Sequence, residues 1–401
     1  MIKVPVLILL GTLAIALAGC GIESPDAHVK QLPASTSGPD GGLRQVSLES
    51  VGRLSTGTFK KLSGEETGLS FVNDLQLKNM RKYLLNGAGL ATGDFDNDGL
   101  VDVYAISQDG PNRLFRQTSP WHFEDVTLAA GDLTGGDDKG TGAAFVDVNN
   151  DGWLDLYACN IDGPNQLFIN QRDGRFLEEA GARGVQFQGA TTMCSFADYD
   201  RDGDLDLYLV NNRILSLAEE KPVIKLRRIG GRLTVPPEYA EQVFLINGRV
   251  AEAGQKDRLY RNDGKGNFVD VTDAAGIAGF DMGLSATWWD YDGDGWMDIY
   301  VANDLKTPDH LYHNQKDGTF RDVISKTATH TPWFSMGADS ADINNDGMMD
   351  FLVADMSSTT HYKQKTTMGE MGNSAWFLTT GKPRQFMRNM LLVNTGGERF
   401  Q

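Results

Sequence analysis

Basic residues are in short supply in this chain. Its 401 residues carry 37 lysines and arginines against 54 aspartates and glutamates, a formal net charge of -17. That balance excludes nucleic acid as an expected partner, since binding it needs clustered cations to neutralise phosphates. Cysteine is scarcer still. Cys20, Cys159 and Cys194 are the only three, too few for a disulfide scaffold and without the spacing of a zinc site. The chain has no GxSxG, HExxH, Walker A or Rossmann glycine pattern, so no enzymatic activity is expected from its motifs. It also lacks an apolar run with the length and flanking charges of a membrane span; the one candidate, at the N-terminus, is short.

That N-terminal run reads as a processing segment. Lys3 precedes "VPVLILLGTLAIALA", and "LAGC" closes the stretch with small residues before Cys20. The pattern resembles a bacterial lipoprotein signal over residues 1–19, whose cleavage leaves Cys20 as a lipid-modified N-terminus. An ordinary secretory signal is the alternative; either way the mature chain is exported. Gly21 after the cysteine resembles the pattern of lipoproteins sent to the outer membrane. Residues 20–55, rich in Pro, Ser, Gly and Asp, show no apolar period and read as a flexible tether.

Five acidic nonapeptides dominate the rest: "DFDNDGLVD", "DVNNDGWLD", "DYDRDGDLD", "DYDGDGWMD" and "DINNDGMMD". They start at Asp94, Asp147, Asp198, Asp290 and Asp342, which are 53, 51, 92 and 52 residues apart. The flanks repeat as well. "LDLYACN" and its counterparts follow each loop, then segments such as "NQLFIN" and "DRLYRN", then "GNFVDVT" and its kin. Four short apolar runs with β-branched and aromatic residues, punctuated by turn residues, predict strands rather than helices. Four strands every fifty residues or so predict an all-β fold, a β-propeller of four-stranded blades over residues 56–401. The long interval contains an insertion at about 213–256, and a second insertion lies at about 357–386.

Crowded carboxylates with glycine at position six suit calcium, which takes six to eight oxygens from alternate residues of a tight loop. Positions one, three, five and nine supply side chains and position seven a carbonyl. The candidate ligands are Asp94, Asp96, Asp98, Leu100 and Asp102; Asp147, Asn149, Asp151, Trp153 and Asp155; Asp198, Asp200, Asp202, Asp204 and Asp206; Asp290, Asp292, Asp294, Trp296 and Asp298; and Asp342, Asn344, Asp346, Met348 and Asp350. Magnesium is disfavoured by its stricter octahedral geometry. Five calcium ions would take the net charge of -17 to about -7. An EF-hand is excluded, because no loop has Glu at position twelve and the flanks are strand-like.

These units resemble FG-GAP/VCBS repeats, the calcium-binding blades of integrin α-subunit propellers and many bacterial surface proteins. "VADMSSTTHYKQKTTMGEM" and "QFMRNMLLVNTGGERF" are similar to bacterial relatives of cartilage acidic protein, a family often carrying a C-terminal ASPIC/UnbV domain. The resemblance implies a ring, usually seven-bladed, with calcium loops joining the first two strands of each blade, and it implies no catalytic role. Five loops where seven are expected suggest part of a longer chain. The rival is a five-bladed ring closed by the fourth-strand-like "GTFKKLSGEETGL" from Gly57.

Other residues have plain readings. Cys159 and Cys194 are expected as buried thiols. His310 and His313, three apart on a strand, should point apart rather than share a metal. Trp288 and Trp289 are expected to pack within a blade rather than bind sugar, since one of two adjacent strand residues must face inward; the other could still lie in an accessible groove. "KLRRIGGR" in the first insertion is expected to be a solvated patch. The functional expectation is a calcium-binding, lipid-anchored scaffold at the cell envelope that contacts a protein or glycan through its insertions. The competing expectation is a calcium-dependent polysaccharide lyase, which would need an accessible calcium beside a Lys, Arg or His.

Overall fold

The repeating apolar runs form antiparallel meanders, one per acidic loop. The computed structural model describes residues 60–76, 87–136, 139–213, 223–240, 242–246, 249–305, 307–356, 360, 362, 382–397 and 399–401. Cys20, the signal, the tether and most of the second insertion lie outside these residues.

A short helix, α1 (Gly64–Thr67), precedes the first blade. That blade pairs β1 (Leu90–Gly93), β2 (Asp102–Ala105), β3 (Arg113–Ser119) and β4 (His122–Asp125) in chain order. The second blade has β5 (Lys139–Val146), β6 (Asp155–Pro164), β7 (Gln166–Asn170) and β8 (Phe176–Glu178). The third begins with β9 (Gln188–Ala197) and β10 (Asp206–Asn211). Its insertion then builds two hairpins, β11 (Arg227–Ile229) with β12 (Arg232–Thr234) and β13 (Val243–Ile246) with β14 (Arg249–Glu252). β15 (Arg258–Asn262) and β16 (Phe268–Asp270) complete the blade. The fourth blade is β17 (Gly283–Trp289), β18 (Asp298–Asn303), β19 (His310–Asn314) and β20 (Phe320–Asp322), followed by α2 (Ile324–Thr327). In the fifth, β22 (Ser335–Ala341) pairs with β23 (Asp350–Asp355) and β23 with β25 (Met390–Leu392), while β21 (His330–Pro332) runs parallel to β24 (Arg384–Phe386).

Both insertions therefore interrupt a blade at the same place, between its second and third strands. The first strands of successive blades lie side by side, as they do in a propeller. Bonds between Val393 and Gln401, both 3.0 Å, put the last residues in the fourth-strand place of the fifth blade. Phe400 N–H donates to Thr327 O as Phe320 N–H does to Ala275 O.

The second strands of the first four blades are buried on both faces, which is why they read as almost unbroken apolar runs, whereas in the fifth Leu352 is half-buried and Ala354 exposed. On β18, Ile299 and Val301 join Tyr208 and Leu259 of the third blade, whereas Tyr300 and Ala302 join Phe351 and Val353 of the fifth. The same arrangement puts the two tryptophans on opposite sides of the fourth blade. Trp288 packs against Tyr199 and Phe320, and Trp289 against Phe351 and Phe400. Both also line a cavity beside the fourth loop. Cys159 and Cys194 are buried, unbonded thiols in the core between the second and third blades.

Candidate metal loops

Every acidic loop joins the first and second strands of its blade, and all five are built alike. Glycine at position six is left-handed throughout, with φ from 83° to 95° at Gly99, Gly152, Gly203, Gly295 and Gly347. Position four is left-handed too, at Asn97, Asn150, Arg201, Gly293 and Asn345. The two reversals wind the chain around its own carboxylates. The position-one aspartate accepts the N–H of position five at 2.9–3.1 Å and that of the glycine at 2.8–3.1 Å. Position five accepts the N–H of position seven.

Position nine is a buried staple. Asp102, Asp155, Asp206, Asp298 and Asp350 are at most 1% exposed. One oxygen of each accepts a position-two N–H at 3.0–3.4 Å. The other accepts, at 2.8 Å, the N–H of the last residue of the strand-three motif: Gln117, Asn170, Asn262, Asn314 or Asn394. Burial pushes Asp102 and Asp155 up to about 7, and Asp206 and Asp298 to about 8.

Carboxylates at positions one, three and nine converge in three blades. Asp94, Asp96 and Asp102 offer oxygens within 4.8 Å of one another, as do Asp198, Asp200 and Asp206, and Asp290, Asp292 and Asp298. Asn149 and Asn344 break the all-acid triad in the other two loops, though as amides they still present an oxygen. Position five joins a cluster only in the fourth blade, where Asp292, Asp294 and His313 come together. Asp204, at position seven, uses its side chain to accept Asn150 Nδ2 at 2.7 Å. Leu100, Trp153, Trp296 and Met348 are tied to the loop through their N–H groups.

A divalent cation fits this donor set. The loops satisfy nearly every carboxylate from their own backbone, yet Asp96 Oδ1 and Asp200 Oδ1 are buried without a hydrogen-bond partner. A buried anionic oxygen left in that state is costly unless a cation meets it.

Two sets of residues escaped sequence reasoning. The asparagine closing the strand-three motif ties neighbouring blades: Asn170 Nδ2 donates to Phe95 O, Asn262 to Val148 O, Asn314 to Tyr199 O and Asn394 to Tyr291 O, at 2.7–2.8 Å. Its recurrence in "NQLFIN", "DRLYRN", "DHLYHN" and "NMLLVN" was the available signal. Position four links successive loops, with Asn97 Nδ2 donating to Gly152 O and Arg201 lying 5.4 Å from the Trp296 ring. Gly293 has no side chain to continue the series. A cavity of about 480 Å³, lined by Gly293, Trp289, Asp292 and Met348 among others, opens there between the fourth and fifth loops.

The histidines point to different partners. His313 Nε2 lies 3.1 Å from Asp292. His310 sits between Asp281 and Asp322, each 2.8 Å from a ring nitrogen. Burial opposes its charge, but Tyr312 and the two carboxylates outweigh that and raise its pKa well above 6.5. His310 therefore contributes most below about pH 6.5, and the contribution fades as pH rises through the elevated value. Partial exposure of Asp322 screens the pair. His310→Ala is expected to lower stability by about 2 kcal/mol at pH 6 in urea unfolding, and by less at alkaline pH.

Comparison with known proteins follows the loops. The family described as FG-GAP-like repeat matches residues 94–158, 147–209, 243–301 and 290–353. Cartilage acidic protein 1 of Xenopus tropicalis is 27% identical over 231 residues, covering 56% of this chain and 30% of that protein. The Homo sapiens protein of the same name is 24% identical over 220 residues, covering 54% and 28%. The matched stretch thus spans less than a third of these relatives' length. Among solved structures, a lectin of Agrocybe aegerita, described as recognising non-reducing terminal N-acetylglucosamine, has 15% identity and a TM-score of 0.39. The match covers 77% of this chain and 63% of that one.

Proposed function

The chain belongs to the FG-GAP-like repeat family, and from that premise we propose that it is a calcium-stapled propeller scaffold of the bacterial envelope. Its insertions would present a contact surface to a protein or glycan. The observation carrying this reading is the buried, unpartnered oxygen of Asp96 and of Asp200 inside loops whose position-one and position-nine carboxylates are met by N–H groups. Calcium supplies the missing positive charge and tolerates the amide oxygens of Asn149 and Asn344. The insertion hairpins leave Arg228, Ile229 and Arg232 exposed, a surface that can vary without disturbing the blades. A lyase would need a base free to meet substrate. Arg172, His313 and Lys316 instead face Asp151, Asp292 and Asp294, so no observation favours that reading.

Calorimetric titration of the mature chain with calcium tests the proposal. Protons compete with the cation for the buried position-nine carboxyls, so uptake should tighten as pH rises from about 6 to 9 and release protons at the lower end. Without calcium the sign reverses for stability. Folded-state values near 7 and 8 exceed the unfolded value, so the metal-free protein should lose stability as pH climbs from about 4 to 8. Absence of any heat at millimolar calcium would remove the metal reading.

Anchoring is proposed through lipid on Cys20, with the outer membrane as destination. Cys20→Ser should move the protein from the membrane fraction to the soluble exported fraction. Retention of the variant on membranes would count against the anchor.

A further inference from the structure

Between successive loops a position-four side chain reaches across the gap, except once. Asn97 donates to Gly152 O at 3.1 Å, Asn150 to Asp204 Oδ1 at 2.7 Å, and the Arg201 guanidinium lies 5.4 Å from the Trp296 ring. All three side chains leave a left-handed backbone, with φ of 56°, 58° and 62°. The fourth loop has Gly293 there, with φ of 74°, and a Cβ built on it would meet nothing within 4 Å.

A second place repeats in the turn after strand three. Two residues beyond the motif's closing asparagine stand Arg172, Gly264, Lys316 and Gly396, all left-handed, each donating its N–H to that asparagine at 2.9–3.2 Å. Arg172 reaches Asp151 at 3.0 Å and Lys316 reaches Asp294 at 2.9 Å, the fifth position of the same blade's loop. At Gly264 the space is taken by the Asp204 carboxylate, 2.5 Å from where a Cβ would lie. At Gly396 a Cβ would meet only Met348 Sδ, at 3.2 Å. Among the described residues no lysine or arginine pairs with Asp346, the fifth position of loop five; it is exposed, whereas Asp151 and Asp294 are half-buried.

The cavity of about 480 Å³ between the fourth and fifth loops opens where both side chains are missing, lined by Gly293 and Gly396. One gap earlier the same two places hold Arg201 and Lys316, so the fold itself shows which chemistry fits: a cation. The walls suit one. Trp289 and Tyr291 supply aromatic surface, Met348 a polarisable thioether, and Asp290 and Asp292 negative charge. Lys326 and Arg399 line an adjoining cavity instead. A guanidinium stacks on such surfaces and sheds its water more readily than an ammonium. We propose that this gap is a docking site for an arginine side chain of a partner protein, the guanidinium taking the place that Arg201 takes one gap earlier. The contact goes beyond the calcium scaffold and its insertions, because the acidic loops and the insertions lie at opposite ends of each second strand.

Titration of the mature chain with the blocked peptide acetyl-Gly-Arg-Gly-amide, followed through the tryptophan indole N–H signals in NMR, tests it. Saturable shifts at millimolar peptide are expected. The citrulline peptide, similar in shape but uncharged, should bind about tenfold more weakly. Gly293→Arg supplies the missing side chain from within, at a backbone angle that Arg201 already adopts, and should weaken binding about tenfold. Gly396→Lys restores what Lys316 supplies in the fourth blade; it should act in the same direction and serves if the first variant does not fold. Equal affinity for the arginine and citrulline peptides would overturn the proposal. So would parent-like binding by the folded variants, or no shift at about 20 mM peptide. Shifts of the same signals by maltose but not by the peptide would assign the gap to a glycan, and a dimer dispersed by Gly293→Arg would assign it to a second copy; either result overturns the choice of partner.

Discussion

In a chelator the protein is expected to melt about 15 °C below its melting temperature in about 2 mM calcium. The size follows from linkage. An extracellular-type site with Kd of about 0.1 mM contributes roughly 1.8 kcal/mol at that concentration. Five such loops would contribute about 9 kcal/mol, and a domain of this size gains roughly 2 °C per kcal/mol. The effect should concentrate in the loops, because empty carboxylate clusters repel and the cation reverses the sign of that interaction. Scanning calorimetry in the two conditions measures it. A difference under about 2 °C would mean that the backbone N–H groups already suffice to hold the loops.

Truncating the position-nine staple should be the most damaging single change in a loop. Asp298 is 1% exposed and accepts N–H groups from Tyr291 at 3.3 Å and Asn314 at 2.8 Å. Asp298→Ala leaves both donors buried and unmet and opens a cavity, costing about 4 kcal/mol. Asp298→Asn keeps one acceptor and turns an amide N–H₂ toward the other donor, for about half that loss. Asp294, at position five of the same loop, provides the comparison: it is more exposed and engaged with Lys316 at 2.9 Å. Asp294→Ala should cost about 1 kcal/mol in chelator. Urea unfolding of the three variants decides the matter; similar losses for Asp298→Ala and Asp294→Ala would show that position nine is an ordinary ligand rather than a staple.

Much of the fold was legible because the repeat is local. Turn glycines, alternating carboxylates and β-branched runs recur within about fifty residues. Each blade closes its own ladder before meeting its neighbours. That is why the loop positions Asp94 to Asp102 and the strand that follows could be placed from spacing alone. What the repeat left open concerned contacts between blades. Strand alternation sends Trp288 and Trp289 to opposite sides of the fourth blade, but which neighbouring blade each meets is decided only by the packing. The asparagines at 170, 262, 314 and 394 recur plainly in the sequence, yet their acceptors lie in the preceding blade, 75 to 115 residues away.

The sequence by itself determined the blade, the acidic loop and its crowded carboxylates, since these depend on backbone reversals and side chains within one short stretch. Only the tertiary structure decided which carboxylate oxygens are already met, which lack a partner and which base faces them. Those facts depend on how successive sheets pack, and no spacing within a single repeat encodes that.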